Sequence, residues 1–148
     1  ENQLLTLNRA YYNRVVAGDT KRQKTAREIR RLTDPDETIF IWQYDPEVYF
    51  RANRPNAIRY IATEKAYQLA EHGQPIMDQI IAALREARPN VLVLTPDDVS
   101  RLEHPGPRDP LHYGDFARWI KRNYRLAESA PARNIWLRID SPGTSSAG

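Results

Sequence analysis

The chain has 148 residues, of which 41% are hydrophobic and 28% are charged, a composition typical of one globular domain rather than of a disordered chain. It contains no cysteine, which excludes disulfides, thiolate catalysis and cysteine-ligated zinc sites. The net charge is +3, and eighteen of the 22 cationic residues are arginine, an excess that suits phosphate or carboxylate recognition but also arises in a GC-rich genome.

The first predicted element is a helix over residues 3–16, with Leu4, Leu7, Tyr11 and Val15 on one stripe and Gly18 as its end. It either packs on the core or is a juxtamembrane helix that continues from a membrane span upstream. The chain begins with Glu1 rather than methionine, so we expect a fragment or a processed product. No run in it approaches the roughly 20 apolar residues that a membrane helix needs.

A basic helix is predicted next, capped by Asp19 or Thr20 and running to Leu32. It carries one acid, Glu28, and a dense set of cations: Lys21, Arg22, Lys24, Arg27, Arg30 and Arg31. Such a helix either contacts phosphates, in lipid headgroups or nucleic acid, or presents a solvated face. The candidates for phosphate or membrane-surface contact are Lys21, Arg22, Lys24, Arg27 and Arg31.

The segment from Thr38 to Tyr60 is the most informative part of the sequence. Residues 39–42 predict a buried strand, because they are β-branched or aromatic. After a turn at residues 43–44, Asp45 is a candidate N-cap with Pro46 at the first helical position. The predicted helix spans residues 46–52 and ends before Arg54-Pro55, since a residue that precedes proline leaves the α region. The polar residues here follow the carboxyl end of a strand, where open α/β sheets usually bind ligands.

Residues 59–62 are predicted as a short edge strand and residues 64–71 as a helix. A clear amphipathic helix follows over residues 74–87, and a second buried strand over residues 90–94. Two strands separated by helices predict a parallel pair.

Thr95-Pro96-Asp97-Asp98 follows the second strand and has two interpretations. The paired carboxylates could bind a metal or act as a base. Alternatively, Thr95 is an N-cap with acids in the first helical turn. A Pro/Gly-rich loop at residues 103–114 follows, and its histidines, His104 and His112, do not have metal-ligand spacing.

The C-terminal part predicts a helix from Asp115 and two strands over residues 124–128 and 134–138, joined as an antiparallel hairpin. The predicted fold is therefore α/β, a three-layer domain with a small, mostly parallel sheet and a C-terminal antiparallel hairpin. We divide the chain into an N-terminal helix at residues 1–18, a soluble α/β domain at residues 19–140 and a disordered tail at residues 141–148.

A family resemblance covers residues 20–140 in element order. The matching residues are Trp42, Pro46-Glu47-Val48-Tyr49, Arg54-Pro55 and Arg59-Tyr60. They resemble the soluble domain that follows the membrane spans of bacterial GT-C type glycosyltransferases, relatives of the dolichyl-phosphate-mannose protein mannosyltransferases and the lipid A aminoarabinose transferases. Gln43 departs from the family pattern, which has glycine after the tryptophan.

The resemblance implies an extracytoplasmic domain at the cell membrane that is itself non-catalytic, because the catalytic acid of that family lies between early membrane helices. The implied donor is a polyprenyl-phosphate-linked sugar, and the implied partners are the membrane portion of the same chain, the lipid-linked sugar and its acceptor, without nucleic acid. No cofactor, metal site or catalytic residue is expected in this part. The candidate substrate-binding residues are Glu47, Tyr49, Arg54, Arg59 and Tyr60, with structural roles in capping and ion pairing as the alternative.

The principal alternative function is a soluble, basic α/β module that binds nucleic acid. The basic helix would supply its phosphate contacts, and aromatic residues interleaved with arginine, such as Phe50 beside Arg51, could stack on bases. Core packing is the other interpretation of these aromatics. A third possibility is a small stand-alone enzyme that uses Asp97 and Asp98.

Overall fold

The computed structural model describes residues 21–43, 45–60, 63, 73–107, 109, 113–129 and 133–140. Several predictions lie outside these residues. They are the N-terminal helix and its cap at Gly18, the cap of the basic helix at residues 19–20, the helix at residues 64–71, part of the Pro/Gly-rich loop with His112, and the C-terminal tail. Among the described residues, no helix is both long enough and apolar enough to cross a bilayer.

The described chain contains helices and strands in mixed order. In order they are helix α1 over residues 21–32, β1 (Ile39–Ile41), α2 (Pro46–Ala52), α3 (Gly73–Ala87), β2 (Val91–Leu94), α4 (Pro96–Glu103), α5 (Tyr113–Asn123), β3 (Tyr124–Ser129) and β4 (Asn134–Arg138). The short helix α2 has the predicted bounds, and α3 and β2 each differ from prediction by one residue. Helix α5 begins two residues before the predicted Asp115, at Tyr113.

The four strands form one mixed sheet in the order β1-β2-β4-β3. Strands β1 and β2 are parallel, as predicted, with Phe40 opposite Leu92. Strand β4 pairs antiparallel with both β2 and β3, which confirms the C-terminal hairpin. The sheet is therefore mixed rather than mostly parallel, because the hairpin supplies half of its strands and its inner strand lies against β2.

Two separate apolar clusters show that helices cover both faces of the sheet. On one face, α3, α4 and α5 pack against Phe40, Trp42, Leu92 and Leu94. The centre of this cluster is a stack of Trp42 on Phe116, with ring centroids 5.5 Å apart. On the other face, α1 and α2 pack against the alternate residues of the same strands. This alternation is the period of two that a β-strand imposes, and it confirms the three-layer α/β architecture.

The segment after α2 covers the outer edge of β1. Ile39 N–H donates to the carbonyl of Pro55 over 3.0 Å, and Ala57 N–H donates to the carbonyl of Ile39 over 2.9 Å. A single parallel bridge joins Ile39 and Asn56 in place of the predicted edge strand at residues 59–62, of which residues 61 and 62 lie outside the described part. The covering segment protects the edge of the sheet and places residues 54–60 beside β1.

Candidate functional site

The basic helix and three of the predicted substrate-contact residues, Glu47, Tyr49 and Arg54, lie on one face of the sheet, whereas Tyr60 packs against the cluster on the other face. Helix α1 buries Ala26 and Ile29 in the cluster on that face, and helix α2 buries Val48 and Ala52 in the same cluster. The cations of α1 and the motif residues of α2 therefore meet at a helix–helix boundary. Their individual contacts show which of them a ligand can reach.

Glu47 forms ion pairs with both helices. Its carboxylate accepts from Arg51 one turn later, at 2.8 Å from Nη2 to Oε1, and from Arg22 of α1, at 3.2 Å from Nη1 to Oε2. All three side chains are partly exposed, so each pair contributes little on its own, about 0.5 kcal/mol. Together the contacts fix the relative position of α1 and the first turn of α2.

Asp45 occupies the N-cap position of α2, but its side chain makes no capping hydrogen bond, so the predicted cap is wrong in this respect. The carboxylate is 4% exposed and instead pairs with Arg22, at 3.3 Å from Nε, and with Arg133. Two guanidinium groups attract a buried carboxylate more strongly than a backbone N–H does. Sequence analysis missed Arg133, because it lies 88 residues away and nothing in its local pattern points to Asp45.

The hydroxyl of Tyr49 forms hydrogen bonds within the domain. It accepts a hydrogen bond of 2.8 Å from the backbone N–H of Ile41 and lies 3.4 Å from the side-chain oxygen of Asn56. Asn56 in turn donates to the carbonyl of Tyr60 over 2.7 Å. Burial raises the pKa of the Tyr49 hydroxyl well above its ordinary value. The group therefore keeps its proton at neutral pH and links β1 to the segment that covers it.

Arg54 also holds structure together. Its guanidinium donates to the Thr33 hydroxyl at 2.9 Å, and to carbonyl oxygens of Thr33 at 2.8 Å, Asn53 at 3.1 Å, Ala52 at 3.2 Å and Arg30 at 3.4 Å. These carbonyls lie at the ends of α1 and α2, where helices leave acceptors unpaired and where positive charge is favourable. Arg54 therefore joins the two helix ends, which is the structural alternative considered for this residue.

Arg59 and Tyr60 are the predicted contact residues that remain most open to a ligand. The Arg59 side chain is exposed, and its guanidinium carbon lies 4.9 Å from the centre of the Tyr60 ring. Its Nη2 donates to the Tyr60 hydroxyl over 2.7 Å, and that hydroxyl donates to Gln79 of α3. Because these contacts are at the surface, a phosphate or carboxylate could replace solvent around Arg59 without unfolding its surroundings.

A surface groove of about 410 Å³ runs between α1 and α2. Its lining residues are Gln23, Ala26, Arg27, Arg30, Phe50 and Arg51. Phe50 is 85% exposed, so core packing, one of the two sequence interpretations of this ring, is wrong for Phe50. The helical pattern could have revealed this, because Val48 and Ala52 take the buried face of α2 and Phe50 lies between them.

The predicted crevice at the carboxyl ends of β1 and β2 is nearly filled. The pocket there has a volume of about 20 Å³, which is the space of about one water. Asp98 lies in it within a capping box, accepting from Thr95 N–H over 2.8 Å, so the capping interpretation of Thr95 and Asp98 is confirmed. The second Asp98 oxygen accepts a hydrogen bond of 3.1 Å from the side-chain amide of Gln43, the residue that departs from the family pattern. Within the described ranges, no three His, Cys, Asp or Glu side chains are grouped so that they could hold a metal ion.

Comparisons with protein-family models, with curated proteins and with solved structures found no match. The geometry of the described residues brings an arginine-rich groove, an exposed phenyl ring and a helix bearing the family-like motif to one face of the sheet.

Proposed function

We propose that this chain is the extracytoplasmic, non-catalytic domain of a polytopic membrane glycosyltransferase whose donor is a polyprenyl-phosphate-linked sugar. In this proposal the domain covers the membrane-embedded part of the same gene product and helps to recognise the donor or the acceptor. The membrane spans and the catalytic acid belong to parts of the gene product outside residues 1–148.

The observation that carries the proposal is that part of the motif segment, helix α2 and Arg54, shares one face of the sheet with the basic helix. Arg22 of α1 pairs with Glu47 of the motif, and Arg54 of the motif donates to the last carbonyls of α1. Residues that carry the family resemblance thus hold the basic helix in place. A domain that meets a phosphate-linked lipid needs cations at a fixed position.

The motif residues divide into two groups by accessibility. Trp42 is buried in the core. The Tyr49 hydroxyl and the Arg54 guanidinium form hydrogen bonds with neighbouring backbone groups. Arg59 is exposed, and Tyr60 is partly exposed and packs on the α3 side of the sheet. In the proposed function the first group is a scaffold, and Arg59 with the Tyr60 hydroxyl contacts the donor phosphate or the acceptor.

The test is a transfer assay on membranes from cells that express the intact gene product. A panel of radiolabelled polyprenyl-phosphate sugars is supplied, and transfer to endogenous acceptor is compared with membranes that lack the gene. We expect gene-dependent transfer from at least one donor, and a clear reduction with Arg59→Ala at an unchanged melting temperature of the 148-residue domain. Absence of gene-dependent transfer from every donor, with the protein present in the membranes, would reject the proposal.

A further inference from the structure

Hydrogen bonds join the two helices that form the walls of the groove between α1 and α2. Arg30 of α1 donates a hydrogen bond to the carbonyl of Arg51 in α2, directly across the groove. Arg54 ties the ends of the two helices together below it. The spacing of the groove walls is therefore set by the fold itself.

The positive charges on the α1 wall of the groove are largely uncompensated. Among the described residues that line the groove, none is acidic. Arg27 is exposed and has no hydrogen bond or ion pair with another described residue, and the bond of Arg30 to a carbonyl leaves its charge unneutralised. Lys21 and Lys24 are exposed on the same helix but do not line the groove. An anionic surface would be attracted to this face at long range and held by it at short range.

Phe50 adds an apolar contact at the centre of this charged face. Its ring is 85% exposed, whereas the neighbouring residues Val48 and Ala52 are fully buried. An exposed phenyl ring beside Arg27 and Arg30 has the chemistry of the bilayer interface, where the apolar group enters the headgroup–acyl boundary and the cations contact phosphates.

We infer that the face formed by Arg27, Arg30, Arg51 and Phe50 binds the surface of a bilayer that contains anionic phospholipids. The inference rests on the proposed function, which provides the nearby membrane, but the binding does not require sugar transfer. The rival occupant, single-stranded nucleic acid, fits less well. Such proteins stack successive bases on several aromatic rings, and among the described residues Phe50 has no second exposed aromatic beside it.

Vesicle sedimentation of the 148-residue chain tests the inference. The vesicles are phosphatidylcholine alone or phosphatidylcholine with phosphatidylglycerol. We expect binding only to the anionic vesicles, weakened about fivefold by each of Arg27→Gln and Arg30→Gln and about tenfold by Phe50→Ala. The matched controls are Arg122→Gln and Leu126→Ala, which alter an exposed cation on α5 and an exposed apolar side chain on β3, and neither should change binding.

A site-specific probe separates insertion from simple charge attraction. Because the chain has no cysteine, Phe50→Cys and Ser100→Cys each offer a single labelling position for an environment-sensitive fluorophore. Ser100 lies on α4, which covers the other face of the sheet. We expect the probe at position 50, and not the probe at position 100, to shift to a non-polar environment on anionic vesicles.

Any of three results would overturn the inference. The two probes could respond equally, or vesicle binding could be unchanged by Arg27→Gln, Arg30→Gln and Phe50→Ala. The third is tighter binding to a single-stranded oligonucleotide than to anionic vesicles, with the same variants weakening it. Loss of vesicle binding with intact sugar transfer would reject this inference alone, whereas vesicle binding without transfer would reject the proposed function alone.

Discussion

The backbone N–H of Ile41 donates a 2.8 Å hydrogen bond to the hydroxyl of Tyr49. This contact joins the last residue of β1 to the middle of α2. Ile41 is 2% exposed, so its N–H has no access to bulk water. The tyrosine of the Pro-Glu-x-Tyr motif therefore completes the edge of the sheet, which explains why an aromatic hydroxyl is useful at this position of a short surface helix.

Replacing Tyr49 by phenylalanine should lower the free energy of unfolding by about 1 to 2 kcal/mol, because the buried Ile41 N–H loses its acceptor. Urea denaturation at constant m-value measures the change. Tyr60→Phe is the control, since its hydroxyl bonds are at the surface and should cost less. If Tyr60→Phe were the more destabilising of the two, the structural role given to Tyr49 would be wrong.

Arg54 and Arg59 should respond differently to the same substitution. Arg54→Ala removes five hydrogen bonds that join two helix ends and should cost about 2 to 3 kcal/mol of stability. Arg59→Ala removes an exposed contact with an aromatic ring and should cost under about 1 kcal/mol. Thermal or urea unfolding of the two variants makes the comparison. Equal stabilities would contradict the division of the motif into scaffold and contact residues.

Asp45→Asn should destabilise the domain by about 2 to 3 kcal/mol, because it leaves the partly buried Arg133 without its counter-charge. The loss is smaller than for a fully buried pair, since the other partner, Arg22, is 44% exposed. Asp140→Asn is the control, as that carboxylate is 58% exposed. Equal urea midpoints for Asp45→Asn and wild type would show that the carboxylate does not hold these elements together.

We expect Asp109 to make a pH-dependent contribution to the free energy of unfolding. The hydrogen bond from Arg101 holds the pKa of this carboxyl below its ordinary value. The folded protein therefore releases this proton more readily than the unfolded chain, so the contribution is present above about pH 4 and is lost as the pH falls further. We expect wild type to exceed Asp109→Asn by about 1 kcal/mol or less at neutral pH. Urea titrations from neutral pH downward measure this difference.

Arg101→Gln serves as the partner control for that experiment. It removes the guanidinium that does most to lower the pKa of Asp109, while the Gly106 N–H still donates to the carboxylate, so adding Asp109→Asn to the Arg101→Gln protein should change the pH dependence of the free energy of unfolding less than it does in wild type. A pH-dependent difference of the same size in both backgrounds would show that Arg101 does not lower the pKa of Asp109.

Local patterns predicted much of the fold. The bounds of α2 follow from Pro46 at the first helical position and from Arg54-Pro55 after its end, and both signals depend only on neighbouring residues. The burial of β1 and β2 likewise follows from their apolar sequence. The order of strands in the sheet could not be predicted this way, because the local sequence does not determine whether the hairpin pairs with β1 or with β2.

The contacts of the site were less predictable for the same reason. Asp45 has the local signature of an N-cap, yet its partners Arg22 and Arg133 come from elements that are distant in sequence. Phe50 fits a core pattern by its residue type, whereas its position between Val48 and Ala52 turns it to the surface. Long-range pairing determines the partners of Asp45, and side-chain direction determines the exposure of Phe50.

The most direct test of the proposed function is the mass and location of the native gene product. Source cells are fractionated and probed with an antibody raised against the 148-residue domain, and the membrane fraction is washed with high salt before detergent extraction. The account predicts a band several times larger than 17.2 kDa that remains in the washed membranes and is released only by detergent. A band near 17 kDa that is found without membranes would contradict it.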